Sequence, residues 1–280
     1  MKLTWKKPKG VIEETVSIDY NGKKLKLLIV KPENHTQSAG VLWIHGGGYT
    51  TGMAKMVYMT RAIDLVVKGG AVVVSPAYSL APVSPYPVAL RQCHAALVYM
   101  KEHADKLGIY ADQIMVGGES AGGGLAAALC MYAKDLGSVN IAYQMPLYPM
   151  IDCYDTSSSK DNHEKIWNTR RNHMGWSMYL RWIKGNEIPA YASPSRRKDY
   201  QGLPACYTFV GDIEPFYEET LTYIKNLKEA GVEAEVDVYP GFYHAYDMMN
   251  PDDPRVKQAA DTFIEHFKDA CKKYRAKQKD

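Results

Sequence analysis

The stretch Ile114-Met115-Val116-Gly117-Gly118-Glu119-Ser120-Ala121-Gly122-Gly123-Gly124-Leu125-Ala126-Ala127-Ala128 decides the fold. A β-type run leads through Gly118-x-Ser120-x-Gly122 into a helix of small residues. That is the sharp strand-to-helix turn that lifts a serine hydroxyl above the carboxyl edge of a sheet. The serine sits in a strained backbone conformation, so the residues two before and two after it must lack side chains for strand and helix to approach. By itself the five-residue pattern arises by chance in about one chain of this length in ten, and a glycine-rich turn whose serine merely caps the helix would also match it. The flanking strand and helix give it weight. Glu119 is expected to face solvent or brace the loop, because its side chain leaves the turn beside the nucleophile.

Upstream, His45-Gly46-Gly47-Gly48 follows the short apolar run Gly40 to Ile44. Three consecutive glycines let a backbone pass close to a bound acyl group and aim N–H groups at an oxygen that turns negative during attack. The expected donors are the N–H groups of Gly47 and Gly48, joined by that of Ala121 at the positive end of the following helix. His45 is expected to shape this loop through hydrogen bonds rather than to act as a base.

The rest of the chain alternates short apolar runs with helical segments, the pattern of a parallel sheet buried on both faces. Two β-type runs around Asn21-Gly22 predict an antiparallel hairpin at the start. Ala71 to Ser75 is a strand after a helix at about 56–68. Then come a helix at about 87–104, strands at 113–116 and 141–145, and the strand and helix pairs 205–210 with 216–230 and 234–239 with 255–273. The expected fold class is α/β, a mostly parallel central sheet flanked by helices, in one domain over 1–280. The polar, aromatic stretch at about 150–200 breaks the rhythm, with one helix near 175–183, and is expected to be a cap or lid insertion. The terminal charges Lys272, Lys273, Arg275, Lys277 and Lys279 read as a solvated helix end and fraying tail.

A nucleophilic serine needs a base and an acid that follow it in the order carboxylate, then histidine. His244 lies in the loop after the strand ending at Tyr239. His266 falls inside the last helix and reads as a helix-face residue. The loop after Val210 offers two carboxylates, Asp212 and Glu214, and either could instead be a charge favouring a helix N-terminus.

The 280 residues are 46% hydrophobic and 23% charged, with 34 Lys and Arg against 31 Asp and Glu. That composition excludes a disordered or fibrous chain, and a net charge of +3 argues against nucleic acid as a partner. No run approaches the roughly 18 apolar residues of a membrane span, and Met1 to Pro8 lacks the apolar core of a secretory signal. No membrane association and a cytoplasmic location are therefore expected. Five scattered cysteines without a C-x-x-C pair are expected to be reduced and buried.

Taken together, these motifs resemble the hormone-sensitive-lipase-like family of α/β-hydrolase esterases from about Gly40 to His266. The resemblance rests on His45 to Gly48, Pro76-Ala77-Tyr78-Ser79-Leu80-Ala81-Pro82, Gly118 to Gly123, Gly202-Leu203-Pro204 and Tyr239 to His244. It implies an α/β-hydrolase fold and a triad of Ser120, Glu214 and His244. Glu214-Pro215 stands where the family has aspartate and proline, so Glu214 is preferred and Asp212 is the reserve acid. It implies hydrolysis of a carboxylic ester through an acyl-enzyme, with no metal and no organic cofactor; a small ester with a short acyl chain is expected because no apolar surface stretch suggests docking onto lipid. An amidase or peptidase using the same triad, or a non-catalytic ligand-binding homologue, are the alternatives. A homo-oligomer is compatible with the sequence. Tyr49, Tyr148, Tyr154, Trp167 and Trp176 fall in segments expected to line or cover the site, as core and lid packing, as the walls of an aromatic acyl pocket or as a platform for acetylated sugar. The pairs Arg170-Arg171 and Arg196-Arg197 read as surface charge rather than as an anion site.

Overall fold

A computed structural model describes residues 6–185 and 187–279. The segment Met1 to Trp5, part of the stretch read above for a secretory signal, lies outside the described residues. β1 (Val11–Tyr20) and β2 (Lys23–Pro32) pair antiparallel, and both turn residues, Asn21 and Gly22, have the positive φ that a tight hairpin turn requires. β3 (Ser38–Ile44), a 3-10 turn at Ala54–Met59 and helix α1 (Arg61–Val67) follow, then β4 (Val72–Pro76). The single helix expected over 56–68 is thus two pieces. Extended Thr60 separates them and caps α1, its side-chain oxygen accepting from Ala62 N.

Helices α2 (Val88–Glu102) and α3 (Ala104–Leu107) precede β5 (Ile109–Glu119), which enters α4 (Ala121–Leu136) at Ser120. Next are β6 (Tyr143–Leu147), α5 (Thr169–Tyr179), β7 (Ala205–Gly211), α6 (Tyr217–Glu229), β8 (Ala234–Tyr239), α7 (Tyr246–Met249) and α8 (Pro254–Lys273). α5 starts earlier than the helix expected at 175–183, because the Asn168 side chain accepts from Arg171 N and caps it there. The four-residue α7, directly after His244, has no counterpart among the expected elements.

The eight strands form one sheet in the order β1-β2-β4-β3-β5-β6-β7-β8, antiparallel from β1 to β4 and parallel from β4 to β8. Successive strand residues serve opposite faces. Leu42, Ile44 and Val116 pack with α2 and α4, while Val41, Trp43 and Met115 pack with α1 and α8. Both faces are therefore apolar along the same strand, which explains continuous rather than alternating runs. The described residues after α8 are held against the body of the fold rather than splayed out as the expected tail. Ala276 N donates to Asp112 O at 2.7 Å, and Gln278 bonds Ala111 and Asn140, so the tail is strapped across the start of β5 and the approach to β6. Of the cysteines, Cys93, Cys130 and Cys206 are buried, whereas Cys153 and Cys271 are only half-buried; all are free thiols. No helix among the described residues is long and apolar enough to cross a membrane.

Candidate active site

Ser120 stands between β5 and α4 with φ 59° and ψ −124°, a strained backbone held by its surroundings. Its N–H donates to Leu147 O at 3.0 Å, and its carbonyl accepts from Gly124 N and Met150 N. The glycines of the turn are a space requirement. A Cβ on Gly122 would lie 2.0 Å from Ile44 O, and one on Gly118 2.4 Å from the same oxygen. Side chains at either position would push helix and strand off β3.

The structure brings Ser120, His244 and Glu214 together. Ser120 Oγ lies 2.9 Å from His244 Nε2, and His244 Nδ1 lies 2.5 Å from Glu214 Oε2. The other carboxylate oxygen of Glu214 accepts from Gly211 N at 3.0 Å. All three residues are buried, and burial raises the Glu214 carboxyl against the lowering pull of His244 and the Gly211 N–H. The imidazole is wedged edge-on between Phe216 and Tyr148, at 4.8 and 5.2 Å between ring centroids. Asp212 points elsewhere. Its side chain accepts from Gly241 N at 2.7 Å, bracing the turn that precedes His244, and no hydrogen bond joins it to the imidazole.

Gly47 and Gly48 adopt φ of 116° and 58°, which glycine tolerates at no steric cost. No hydrogen bond among the described residues occupies either N–H, whereas Gly47 O anchors the loop by accepting from Thr50 N and Thr51 N. Ala121 N, at the first position of α4, has no intrahelical acceptor. Glu119 is not solvent-facing, contrary to one arm of the expectation. It is 2% exposed, and its two oxygens accept from Trp43 Nε1 at 2.6 Å and from Gly46 N at 3.0 Å. It ties the serine turn to the glycine loop, through an indole on β3 that sequence spacing gives no means of pairing with it. Burial pushes this carboxyl up to about 8. His45 shapes the loop from beneath: Nδ1 bonds Gly46 O at 2.8 Å, and the ring stacks on Tyr78 with centroids 4.2 Å apart. Burial lowers its pKa to about 4, so the ring is neutral near pH 7.

Above Ser120 opens a pocket of about 250 Å³, lined by the glycine loop, Met56, Tyr148, Ile166, Trp167, His244, Ala245, Met248 and Met249. Of the five aromatic residues singled out, only Tyr148 and Trp167 reach it. Tyr49 and Trp176 are core residues packed with Tyr179, and Tyr154 is exposed beneath Arg196. The arginine pairs do not face the site. Arg196 holds both Asp152 oxygens, Arg197 pairs with Asp135, Arg171 bonds the carbonyls of Lys165 and Ile166, and Arg170 is exposed. His266 stacks on Tyr207 at 3.9 Å, in the last helix and away from the serine turn.

The sequence reasoning missed Met56, Ile166, Met248 and Met249, and also a buried polar chain behind the imidazole. In that chain Tyr148 Oη donates to Asp247 Oδ1 at 3.0 Å, and Arg61 Nε lies 3.4 Å from Asp247 Oδ2. Apart from Tyr148, already singled out as an aromatic near the site, no pattern flags these residues, because they come from distant segments.

A serine, an imidazole and a buried carboxylate in hydrogen-bond sequence, beside unoccupied amide donors on a parallel sheet, define the serine-hydrolase class of α/β proteins. Comparison with known families gives the same answer. Residues 41–248 match the family described as alpha/beta hydrolase fold, and the chain belongs to it. The chain is 31% identical over 212 residues to the esterase LipI of Mycobacterium tuberculosis, covering 74% of this chain and 65% of that protein. It is 28% identical over 246 residues to an arylesterase of Saccharolobus solfataricus, covering 85% and 79%. It thus spans just under two thirds of the length of LipI. Among solved structures, a bacterial heroin esterase superposes with a TM-score of 0.90 at 30% identity, covering 96% of this chain and 86% of that one. A thermostable esterase from Pseudomonas putida gives 0.87 at 30% identity, with 96% and 85% covered. The motifs that resemble the hormone-sensitive-lipase-like esterases therefore sit on a matching fold among esterase relatives.

Proposed function

We propose that this protein hydrolyses small carboxylic esters with short acyl groups through an acyl-enzyme on Ser120. The observation that carries it is the continuous bond sequence Ser120 Oγ, His244, Glu214, opening on an apolar pocket beside the Gly47 and Gly48 amides. His244 Nε2 takes the Ser120 proton as Oγ attacks the ester carbonyl, and the carbonyl oxygen, now negative, is held by the N–H groups of Gly47, Gly48 and Ala121. As the tetrahedral adduct collapses, the C–O bond to the alcohol breaks and His244 gives that oxygen the proton. Water then repeats the sequence: His244 removes its proton as the water oxygen bonds to the acyl carbon, the acyl–Oγ bond breaks, His244 returns that proton to Ser120 Oγ, and the acid leaves. Glu214 keeps the proton of the resting imidazole on Nδ1 and stabilises the imidazolium that forms in each half.

Residues at about 150–200 act as the roof of the site within a single domain; Ile166 and Trp167 support this by lining the pocket. The modest pocket and its apolar walls suit a small diffusible ester, and a cytoplasmic setting is part of the same reading. Ser120→Ala tests it. Hydrolysis of p-nitrophenyl acetate should fall by at least about 10³-fold with the fold intact. Turnover persisting at the parent rate would defeat the assignment.

A further inference from the structure

We infer that Trp167 sets the size limit on the acyl arm of the substrate. Compact acyl groups fit in the part of the pocket that the indole closes off beside Gly48, while larger apolar alcohols run along a methionine-lined side of the same pocket. The assignment rests on ester hydrolysis at Ser120 and names the substrate class within it.

The pocket has two unlike walls. On the side of the glycine loop, the indole lies directly against Gly48: a Cβ there would fall 2.1 Å from Trp167 Cη2. Behind the ring, Gly175 of α5 closes in, since a Cβ on it would sit 3.0 Å from Gly48 O and 3.4 Å from Trp167 Cζ2. The indole is thus slotted where neither neighbouring position has room for a side chain. Its turn is also fixed. Asn168 accepts from Arg171 N and donates to Glu164 O, both at 3.1 Å, and the Arg171 guanidinium holds the carbonyls of Lys165 and Ile166. Asn162 Nδ2 donates to Ile213 O at 3.1 Å, tying this turn to the loop that carries Glu214. Trp167 is therefore a rigid stop built into the same framework as the triad.

The methionine part of the lining can yield. Met56, Met248 and Met249 are unbranched thioethers that repack around different shapes at little cost. Met249 is 39% exposed.

Proton traffic decides which arm meets which wall. The departing alcohol oxygen must reach His244 Nε2, and the residues that continue from His244, namely Ala245, Met248 and Met249, form the yielding wall. The carbonyl oxygen goes to the amides of Gly47 and Gly48. The acyl substituent needs no contact with the imidazole proton, and the remaining space is the one under the indole, which spans from Gly48 to the His244 ring at 6.3 Å between centroids.

The test uses two substrate series on the parent, Trp167→Ala and Trp167→Leu. One series is p-nitrophenyl acetate, butyrate, hexanoate and octanoate; the other is ethyl, butyl and hexyl acetate. In the parent, kcat/KM should fall from acetate to octanoate. Removing the indole frees on the order of 100 Å³ next to the acyl carbon, of the kind that accepts apolar guests. One methylene in an apolar pocket is worth roughly tenfold or more. The octanoate-to-acetate ratio should therefore rise at least about tenfold in Trp167→Ala and less in Trp167→Leu, with the alcohol series within about threefold of the parent. An unchanged acyl ratio in either folded variant overturns the assignment. So does a shift that appears in the alcohol series instead, or a parent that prefers octanoate. A parent inactive on every ester of both series overturns ester hydrolysis itself, an outcome distinct from an active enzyme indifferent to Trp167.

Discussion

Replacing Glu214 by glutamine removes a charge while leaving size and shape nearly unchanged, and the geometry dictates how the damage arises. Oε1 accepts from Gly211 N at 3.0 Å and Oε2 from His244 Nδ1 at 2.5 Å, so the carboxylate serves two N–H donors at once. A glutamine has one acceptor. If its oxygen stays on the Gly211 N–H, its amide N–H₂ faces Nδ1. The imidazole must then carry its proton on Nε2, where it cannot accept the Ser120 proton. If the oxygen turns to His244 instead, two N–H groups confront each other at Gly211 in a fully buried place, at a cost of about 1–3 kcal/mol. The first arrangement leaves every donor paired and should dominate. Loss of the correct tautomer and of imidazolium stabilisation is worth about 10³- to 10⁴-fold in kcat, or about 4–5.5 kcal/mol of barrier. Glu214→Gln should thus retain roughly a thousandth or less of parental kcat on p-nitrophenyl acetate, while folding normally by circular dichroism. Asp212→Asn, whose partner is only the Gly241 N–H, should lose less than tenfold, the scale of a single loop hydrogen bond. If Glu214→Gln stays within tenfold of the parent while Asp212→Asn collapses, the carboxylate has been misassigned.

Three further outcomes are expected. Glu119→Gln cannot accept from both Trp43 Nε1 and Gly46 N, so the glycine loop loosens and kcat should drop about ten- to a hundredfold with little change in KM; steady-state kinetics with parental rates would remove Glu119 from this bracing role. His45 has a folded pKa lowered from 6.5 to about 4, which corresponds to about 3 kcal/mol. The folded state binds this proton less tightly than the unfolded chain, so the stabilisation is complete above pH 6.5 and is lost as pH falls towards 4. Urea melts from pH 7 to 4.5 should therefore show a steeper acid loss in the parent than in His45→Asn, and parallel curves would refute it. Gly48→Ala places a Cβ at φ 58° and 2.1 Å from Trp167, so kcat/KM for acetate should fall at least tenfold, an effect that pairing it with Trp167→Ala should partly relieve. An alanine variant with full activity would show that the indole is not seated as described.

Local rules were enough for those parts of the molecule in which neighbours in sequence are also neighbours in space. The Asn21-Gly22 hairpin, the helix beginning at Ala121 and the strands of the parallel sheet are legible because turn geometry and the spacing of apolar residues act over a few positions. Ser120 and the glycine loop are legible for the same reason: each is a backbone device, and the glycines it needs are visible as letters. Chain order narrowed the base to His244 and the acid to a loop with two carboxylates. Residue order could go no further, and only the family resemblance preferred Glu214, since Asp212 and Glu214 differ by two positions yet bond to different partners.

That choice, and everything around the triad, was made by tertiary packing. Glu214 meets His244 because Gly211 N–H and the burial of the loop aim its side chain inward, while Asp212 is drawn to Gly241. Glu119 becomes buried because β3 carries an indole donor alongside it, and the pocket takes its walls from the 3-10 turn before α1, from Ile166 and Trp167, and from α7. Apart from the local Gly211–Glu214 bond, such contacts join residues tens to more than a hundred positions apart, and no local periodicity encodes them. Which charges are buried, and how large a substrate fits, is determined only when the segments close on one another and water is excluded.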